Sequence, residues 1–291
     1  MDRNKADFSA VHTFAVCAYK QSPYLRECLE SLRNQTVRSR IVLATSTPSA
    51  FLQELADEYG AEYRVNPDAG KGIAADWNFA LSAVKTPYAT IAHQDDIYLP
   101  EYAERVVRKL QEHPDTLIAF TDYADRLMPE NRVAANRLYL HVKRLLLLPF
   151  YLKSSWRCGF MRRWILRFGN AICCPAVSYN LQNLPDLCFD AEYSVNLDWA
   201  MWLSLAFKPG RFCYDPHRLM QHRISESMET SSAIRITGVS RKTAGFFISS
   251  GRIKLQIFCF ISTRKAMRAT DTFDFAGNRA IFSENRNRRE Q

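Results

Sequence analysis

The chain has 291 residues, 47% hydrophobic and 24% charged, which is enough for one large domain or two small ones and excludes disordered, collagen-like and coiled-coil classes. No apolar run approaches the roughly 18 residues that span a bilayer; the longest, Leu145 to Leu152, contains Pro149. Of 39 basic and 30 acidic residues, positions 235–291 hold 12 and 4, leaving 27 and 26 in positions 1–234, so the formal charge of +9 sits almost wholly in the tail and the near-neutral body argues against nucleic-acid binding.

From Val11 to Tyr123 a strand alternates with an amphipathic helix. Val11 to Cys17 reads as a buried strand. Ser22 is the expected N-cap of the next helix, with Pro23 at its first position and Leu25, Cys28, Leu29 and Leu32 on one face. Arg40 to Thr45 is the second strand, Pro48 to Tyr59 a helix stopped by Gly60, and Ala61 to Val65 the third strand. The loop Asn66 to Gly72 opens a helix running to Val84, and Tyr88 to Ala92 is the fourth strand. Pro100 to His113 and Leu117 to Thr121 add one more helix and strand. This order predicts an α/β fold, a mostly parallel sheet covered by helices, with ligands at the carboxyl ends of the strands. Farther on, Asp198 to Phe207 reads as a helix and Arg211 to Tyr214 as a short strand.

Met1 to Lys20 lacks the features of a secretory signal. The eight cysteines show no C-x-x-C pair, so neither a disulfide framework nor a zinc site is expected, and a reducing, cytoplasmic setting fits.

The chemistry-bearing residues cluster around the strand ends. Asp95 and Asp96 follow the fourth strand, where paired carboxylates suit a divalent cation shared with phosphate oxygens, or else cap the loop before Pro100. The loop Asn66 to Gly72 offers two glycines, Lys71 and a helix start, a combination that suits an anion but is also ordinary turn chemistry. Asp198 stands near a helix start, either as a simple cap or as a general base on a rigid support. Among His217, His222 and Arg223, one could be a third metal ligand or a phosphate contact, with His222 the candidate ligand; the alternative is a structural role.

With these residues in view, the sequence resembles the family 2 glycosyltransferases of GT-A fold, over about residues 11 to 232. Phe14 to Tyr19, Ser22 to Leu32, Gln35-Thr36, Gly70-Lys-Gly72 through Asp76-Trp-Asn78, Ala92 to Ile97 and Leu197-Asp-Trp199 carry the resemblance. It implies a nucleotide-sugar-binding half (9–125), an acceptor-binding half with the base (126–234) and a basic tail (235–291). The implied reaction moves a sugar from a nucleotide-diphosphate sugar to a glycan or lipid-linked acceptor hydroxyl, with inversion, in cell-surface polysaccharide synthesis. The implied base is Asp198; Mg²⁺ or Mn²⁺ would be held by Asp95 and Asp96; Tyr19, Lys20, Lys71, Asn78 and Asp95 would serve the donor. Two departures stand out. Thr45 to Ser49 supplies no carboxylate where many relatives hold the nucleoside, and His93 replaces the Asp that opens the usual metal motif. The rival readings are a nucleotidyltransferase and an inactive scaffold of the same fold.

From Asn131 to Pro185 there is no acid, but there are nine basic residues interleaved with leucines and aromatics. This stretch reads either as a helical acceptor-side subdomain with solvated charges or as a surface for anionic lipid headgroups, a peripheral contact at the inner face of a membrane. After Ser232 the resemblance stops. The codons permitted for Arg235 to Gly251 can be read one base along as an acidic family-like segment, so a shifted frame competes with a native basic tail.

Overall fold

The computed structural model describes residues 5–193 and 196–224; the tail, with its competing readings, lies outside them. The elements in chain order are β1 (Ala6–Asp7), β2 (His12–Ala18), α1 (Leu25–Arg33), β3 (Val37–Arg38), β4 (Arg40–Thr45), α2 (Ala50–Tyr59), β5 (Glu62–Val65), α3 (Ile73–Ser82), β6 (Tyr88–His93), β7 (Ile97–Tyr98) and α4 (Tyr102–Gln111). They continue with β8 (Thr116–Leu127), β9 (Arg132–Ala134), α5 (Leu138–Leu146), α6 (Leu148–Leu152), β10 (Ser155–Trp156), α7 (Gly159–Leu166), a 3₁₀ turn Cys174–Ala176, β11 (Val177–Asn180), α8 (Leu197–Phe207) and β12 (Arg211–Ile224).

The main sheet runs β10-β12-β8-β11-β6-β2-β4-β5, with β7 beside β12 and β9 beside β8; β1 and β3 form a separate pair. Strands β5, β4, β2 and β6 are parallel. Strand β11 is antiparallel to both β6 and β8, so β8 resumes their direction, and β12 runs parallel to it. The expected parallel core is therefore present, but β11, which the sequence pattern did not predict, is inserted into it.

Helices cover both faces, which is why β2 is buried along nearly its whole length, its two polar residues His12 and Thr13 included, and does not alternate between buried and exposed positions. On one face Phe14, Val16 and Leu43 meet Leu25, Leu29, Leu52 and Val106 of α1, α2 and α4. On the other, Ile91, Ile118 and Phe120 meet Trp77, Ile165, Met201 and Trp202 of α3, α7 and α8. Helix α3 comes close to the sheet because Ala80 packs on Ala15 and Ala44. The turn after α2 uses Gly60 at φ +64°, a conformation that spares a Cβ clash, and its amide returns to the Asp57 carbonyl.

One helix start differs from expectation. Helix α1 begins at Leu25 with Tyr24 at its cap position and no side-chain cap; the Ser22 hydroxyl lies one turn earlier, accepting from the Tyr24 amide at 3.3 Å and donating to Asp95. Strands β8 and β12 also run well past their predicted ends, paired along most of their length. Among the described residues no helix is long and apolar enough to cross a membrane, and all seven cysteines there are free.

Candidate active site

The carboxyl ends of β2, β4, β5 and β6 bring four loops together. Gln94, just past β6, accepts from the Tyr19 amide (3.0 Å) and donates to the Tyr19 carbonyl (3.1 Å). The Lys20 amide donates to Thr47 Oγ1 at 2.6 Å, with Lys20 itself at φ +55°. Asp76 of α3 accepts from Ser46 (3.1 Å) and from the Asn66 side chain (2.9 Å), joining the loops after β4 and β5. The carboxylate missing from Thr45 to Ser49 is thus supplied to that loop by a helix. Lys71, exposed, donates to Asp68 at 2.7 Å. Asn78 differs from expectation: its amide donates to the Phe189 carbonyl (2.8 Å) and accepts from the Phe189 amide (2.7 Å), so both ends anchor the segment that leads to α8.

Asp95 and Asp96 sit in a turn closed by the Asp96 amide on the His93 carbonyl at 3.2 Å. Asp95 Oδ1 accepts from Ser22 at 2.6 Å. Asp96 is 1% exposed; its Oδ1 accepts from the Arg223 amide at 2.9 Å, while its Oδ2 is buried without a hydrogen-bond partner. Burial pushes its carboxyl well above the usual range, and Asp95 adds to the effect. His93 lies beside it, with Nδ1 3.8 Å from Asp96 Oδ2 and its ring stacked on Trp77 at 5.1 Å. Burial pulls His93 down to about 4 and His222 to about 3, so both imidazoles are neutral at pH 7. His222 precedes Arg223 on β12, which brings it to the same loop.

Arg223 pins this loop from behind. Its Nε donates to the Asp95 carbonyl at 2.7 Å, its Nη2 pairs with Glu27 of α1, and its guanidinium lies 4.2 Å over the Tyr24 ring. A buried arginine therefore ties β12, α1 and the acidic turn together.

Asp198 is the second residue of α8, not its cap; Asn196 takes the cap position at φ +58° without a side-chain bond. Asp198 Oδ1 accepts from the Trp199 amide at 2.8 Å and Oδ2 from Asn170 at 2.6 Å. Burial raises its carboxyl above the ordinary range, and these bonds and the Lys143 charge pull the other way without reversing it. The same Lys143, on α5, also acts on His222; among the described residues it donates to Tyr123 at 2.9 Å and makes no ion pair. His217 lies elsewhere, paired with Asp215 at 2.6 Å.

A hard divalent cation wants oxygen ligands, and the adjacent Asp95 and Asp96, one with a buried unpartnered oxygen, offer that donor set. Among the described residues no three His, Cys, Asp or Glu side chains are grouped to hold a metal by themselves. The sequence assigned no role to Asn170 or Lys143 and read Ser22 as a helix cap and Arg223 as a candidate phosphate contact; all four act through a partner at least 20 positions away.

An α/β sheet with acidic and polar residues gathered on the loops at its carboxyl edge defines a class of fold that takes its ligands at that edge. The chain belongs to glycosyl transferase family 2, whose model matches residues 13–169. It is 29% identical over 107 residues to the "Putative glycosyltransferase EpsH" of Bacillus subtilis (strain 168), a match over 35% of this chain and 31% of that protein. Among solved structures it is similar to S. aureus TarS 1-349 in complex with UDP-GlcNAc, at TM-score 0.58 and 14% identity over 76% of this chain and 61% of that one. The complex of TarS 1-349 with UDP gives 0.57 and 13% over 74% and 61%. The alignment thus spans about a third of the curated relative and three fifths of the structural ones, and at these identities the structural likeness shows the GT-A type of fold.

Proposed function

We propose that the protein is an inverting glycosyltransferase that moves a sugar from a nucleotide-diphosphate sugar to an acceptor hydroxyl, in the synthesis of a polysaccharide or lipid-linked glycan. The observation that carries this reading is the presence of two separate acidic centres, Asp95-Asp96 and Asp198, both on rigid supports and with the pKa of Asp96 and of Asp198 raised by burial above the ordinary carboxylate range.

In this reading Tyr19, Lys20 and the loop around Lys71 receive the nucleotide, as the named UDP and UDP-GlcNAc complexes of TarS encourage. Asp95 and Asp96 would hold Mg²⁺ or Mn²⁺, which neutralises charge on the departing diphosphate. Asp198 accepts the proton of the attacking hydroxyl as the new glycosidic C–O bond forms and the bond to the diphosphate oxygen breaks. Asn170 and the Trp199 amide hold its carboxylate in place, and its raised basicity suits proton abstraction near neutral pH. Among the described residues His222 is not grouped with Asp95 and Asp96 as a third ligand, so the remaining coordination positions would fall to the diphosphate and to water.

The test is a thermal-shift and calorimetric titration with UDP, GDP, dTDP and ADP, with and without Mn²⁺, on wild type, Asp95→Ala/Asp96→Ala and Asp198→Asn. The reading expects metal-dependent binding of one nucleotide, lost in the double variant and kept in Asp198→Asn, which alone loses turnover. A folded protein that binds none of the four overturns it and leaves an inactive scaffold; nucleoside monophosphate transfer to a sugar phosphate would point to a nucleotidyltransferase.

A further inference from the structure

Helix α7 turns its amphipathic character inside out. Its buried side carries Ile165 and Leu166 together with Arg162, whose guanidinium donates to the Leu205 and Lys208 carbonyls (3.3 and 2.8 Å) at the end of α8 and lies 5.2 Å over the Phe212 ring. Its outward side carries Phe160 and Trp164 on consecutive turns, followed by Phe168, all exposed, Phe160 by 58%. These rings form a continuous row with centroids 5.9 and 5.6 Å apart. Phe207, also 58% exposed, is tied to the row by Arg163, whose guanidinium carbon is 4.8 Å from the ring centre, and Arg167 lies 6.0 Å over Phe168.

Exposed rings scattered singly are ordinary, but a contiguous row marks a docking face. Its charge identifies the partner. Arg137, Arg144 and Arg157 of the acid-free stretch from Asn131 to Pro185 find carboxylates elsewhere in the fold, but among the described residues Arg163 and Arg167 form no ion pair, so the row of rings is flanked by positive charge that an anionic partner complements. A second copy docking on its own equivalent face would bring like charges together. We propose that this face seats on an anionic lipid bilayer, with Phe160, Trp164, Phe168 and Phe207 entering the headgroup boundary and Arg163 and Arg167 pairing with lipid phosphates.

The placement has a consequence for the site. The Trp199 indole donates to the Leu166 carbonyl at 3.1 Å, and the chain leaving α7 carries Asn170, which holds Asp198 at 2.6 Å. Docking through α7 therefore sets Asp198 at a fixed position from the membrane surface, where an acceptor anchored in lipid presents its hydroxyl. That last step rests on the function proposed above; the docking itself does not.

The test is co-sedimentation of the full chain with phosphatidylcholine vesicles, with and without phosphatidylglycerol. The variants are Phe160→Ser/Trp164→Ser and Arg163→Glu/Arg167→Glu, each checked for an unchanged melt, with nucleotide binding measured in parallel. Each arginine near an anionic surface contributes about fivefold in partition, so the charge-reversal variant is expected to lose more than about 25-fold, and the ring variant about tenfold or more. Because residues 235–291 are themselves basic, the variants and not the wild type decide. Wild type that fails to bind phosphatidylglycerol vesicles, or folded variants that bind as wild type does, overturns the proposal. So does a wild-type dimer by light scattering that the ring variant makes monomeric, which would give the face to a second copy. Nucleotide binding that fails while vesicle binding holds would refute the glycosyltransferase reading alone.

Discussion

Replacing Arg223 by Met tests whether one side chain holds the acidic turn in place. Methionine fills much of the space, and the backbone bond from residue 223 to Asp96 Oδ1 survives, so the losses are those of the guanidinium. Its bond to the Asp95 carbonyl, between a charged donor and a part-buried acceptor, is worth about 1.5–3 kcal/mol. The pair with Glu27 counts for less, about 0–1 kcal/mol, because Glu27 is 41% exposed and also meets Arg126 at 3.2 Å, so it resolvates on release. Stacking on Tyr24 adds about 1 kcal/mol. The sum, about 2.5–5 kcal/mol, corresponds to a melting shift of about 5–20 °C for a domain of this size. Arg223→Lys keeps the charge but not the planar fork, and should recover only part of it. Urea unfolding gives the stability change, and nucleotide titration on the same samples gives the consequence for the site, a higher nucleotide Kd. A Met variant within about 1 kcal/mol of wild type, binding nucleotide equally well, would refute the assignment.

Asp198→Asn should lower kcat by about 10²–10⁴ while melting no lower than wild type at pH 7. An acid whose folded pKa is raised destabilises the fold once it ionises, so any gain in the variant appears above the ordinary carboxylate range and disappears below it; a lower melt at pH 7 would return Asp198 to a capping role. The acid limb of the rate profile in wild type should lie above the ordinary carboxylate range, and Asn170→Ala, which removes a bond to the charged form, should move it higher still; an unmoved limb would count against Asp198 as the base. Because burial holds His93 and His222 near 4 and 3, nucleotide affinity should show no histidine titration between about pH 6 and 8 by calorimetry, where an unperturbed imidazole would titrate. Ser22→Ala should cost about 1 kcal/mol of stability in denaturant unfolding and raise the nucleotide Kd, since the hydroxyl positions Asp95.

The part of the fold legible in the sequence is the part governed by local period. The stripe Leu25, Cys28, Leu29, Leu32 faces the core as its spacing requires, and the run His12 to Ala18 is a strand buried on both sides. What escaped was set by distant partners. Ser22-Pro23 has the composition of a helix start, but the helix begins two residues later, and the Ser22 hydroxyl joins the Tyr24 amide to Asp95, 73 positions away. Strands β8 and β12 looked short because Asp122, Asp125 and Asp215 interrupt their apolar pattern; each is met by an arginine from another element, Arg144, Arg137 and Arg105, and the strands run on. The four residues of β11 carry no alternation, and their antiparallel pairing depends on β6 and β8 already lying in place. Asp198 and the Asp95-Asp96 pair were open to a capping reading on spacing alone and were singled out by the family resemblance; Arg223 was named only as a possible phosphate contact, and its burial behind the acidic turn was not foreseen, because an arginine in a polar stretch ordinarily lies in solvent.

The contrast between these acids says how the site is built. Asp122, Asp125 and Asp215 each have an arginine at 3.1 Å or less. Among the described residues Asp96, which is 1% exposed, and Asp198, which is half-buried, have no lysine or arginine ion pair, and burial raises the pKa of each. An uncompensated buried carboxylate costs folding free energy, which a fold evolved only for stability would remove by pairing or substitution. Under the proposed function the missing partner at Asp96 would be a cation brought in with a diphosphate, and at Asp198 it would be the proton of the acceptor. Ligation at the first centre should therefore appear as added stability, about 2.7 kcal/mol at a hundred times Kd, and this gain should be absent in Asp96→Asn, whose amide has already relieved the cost.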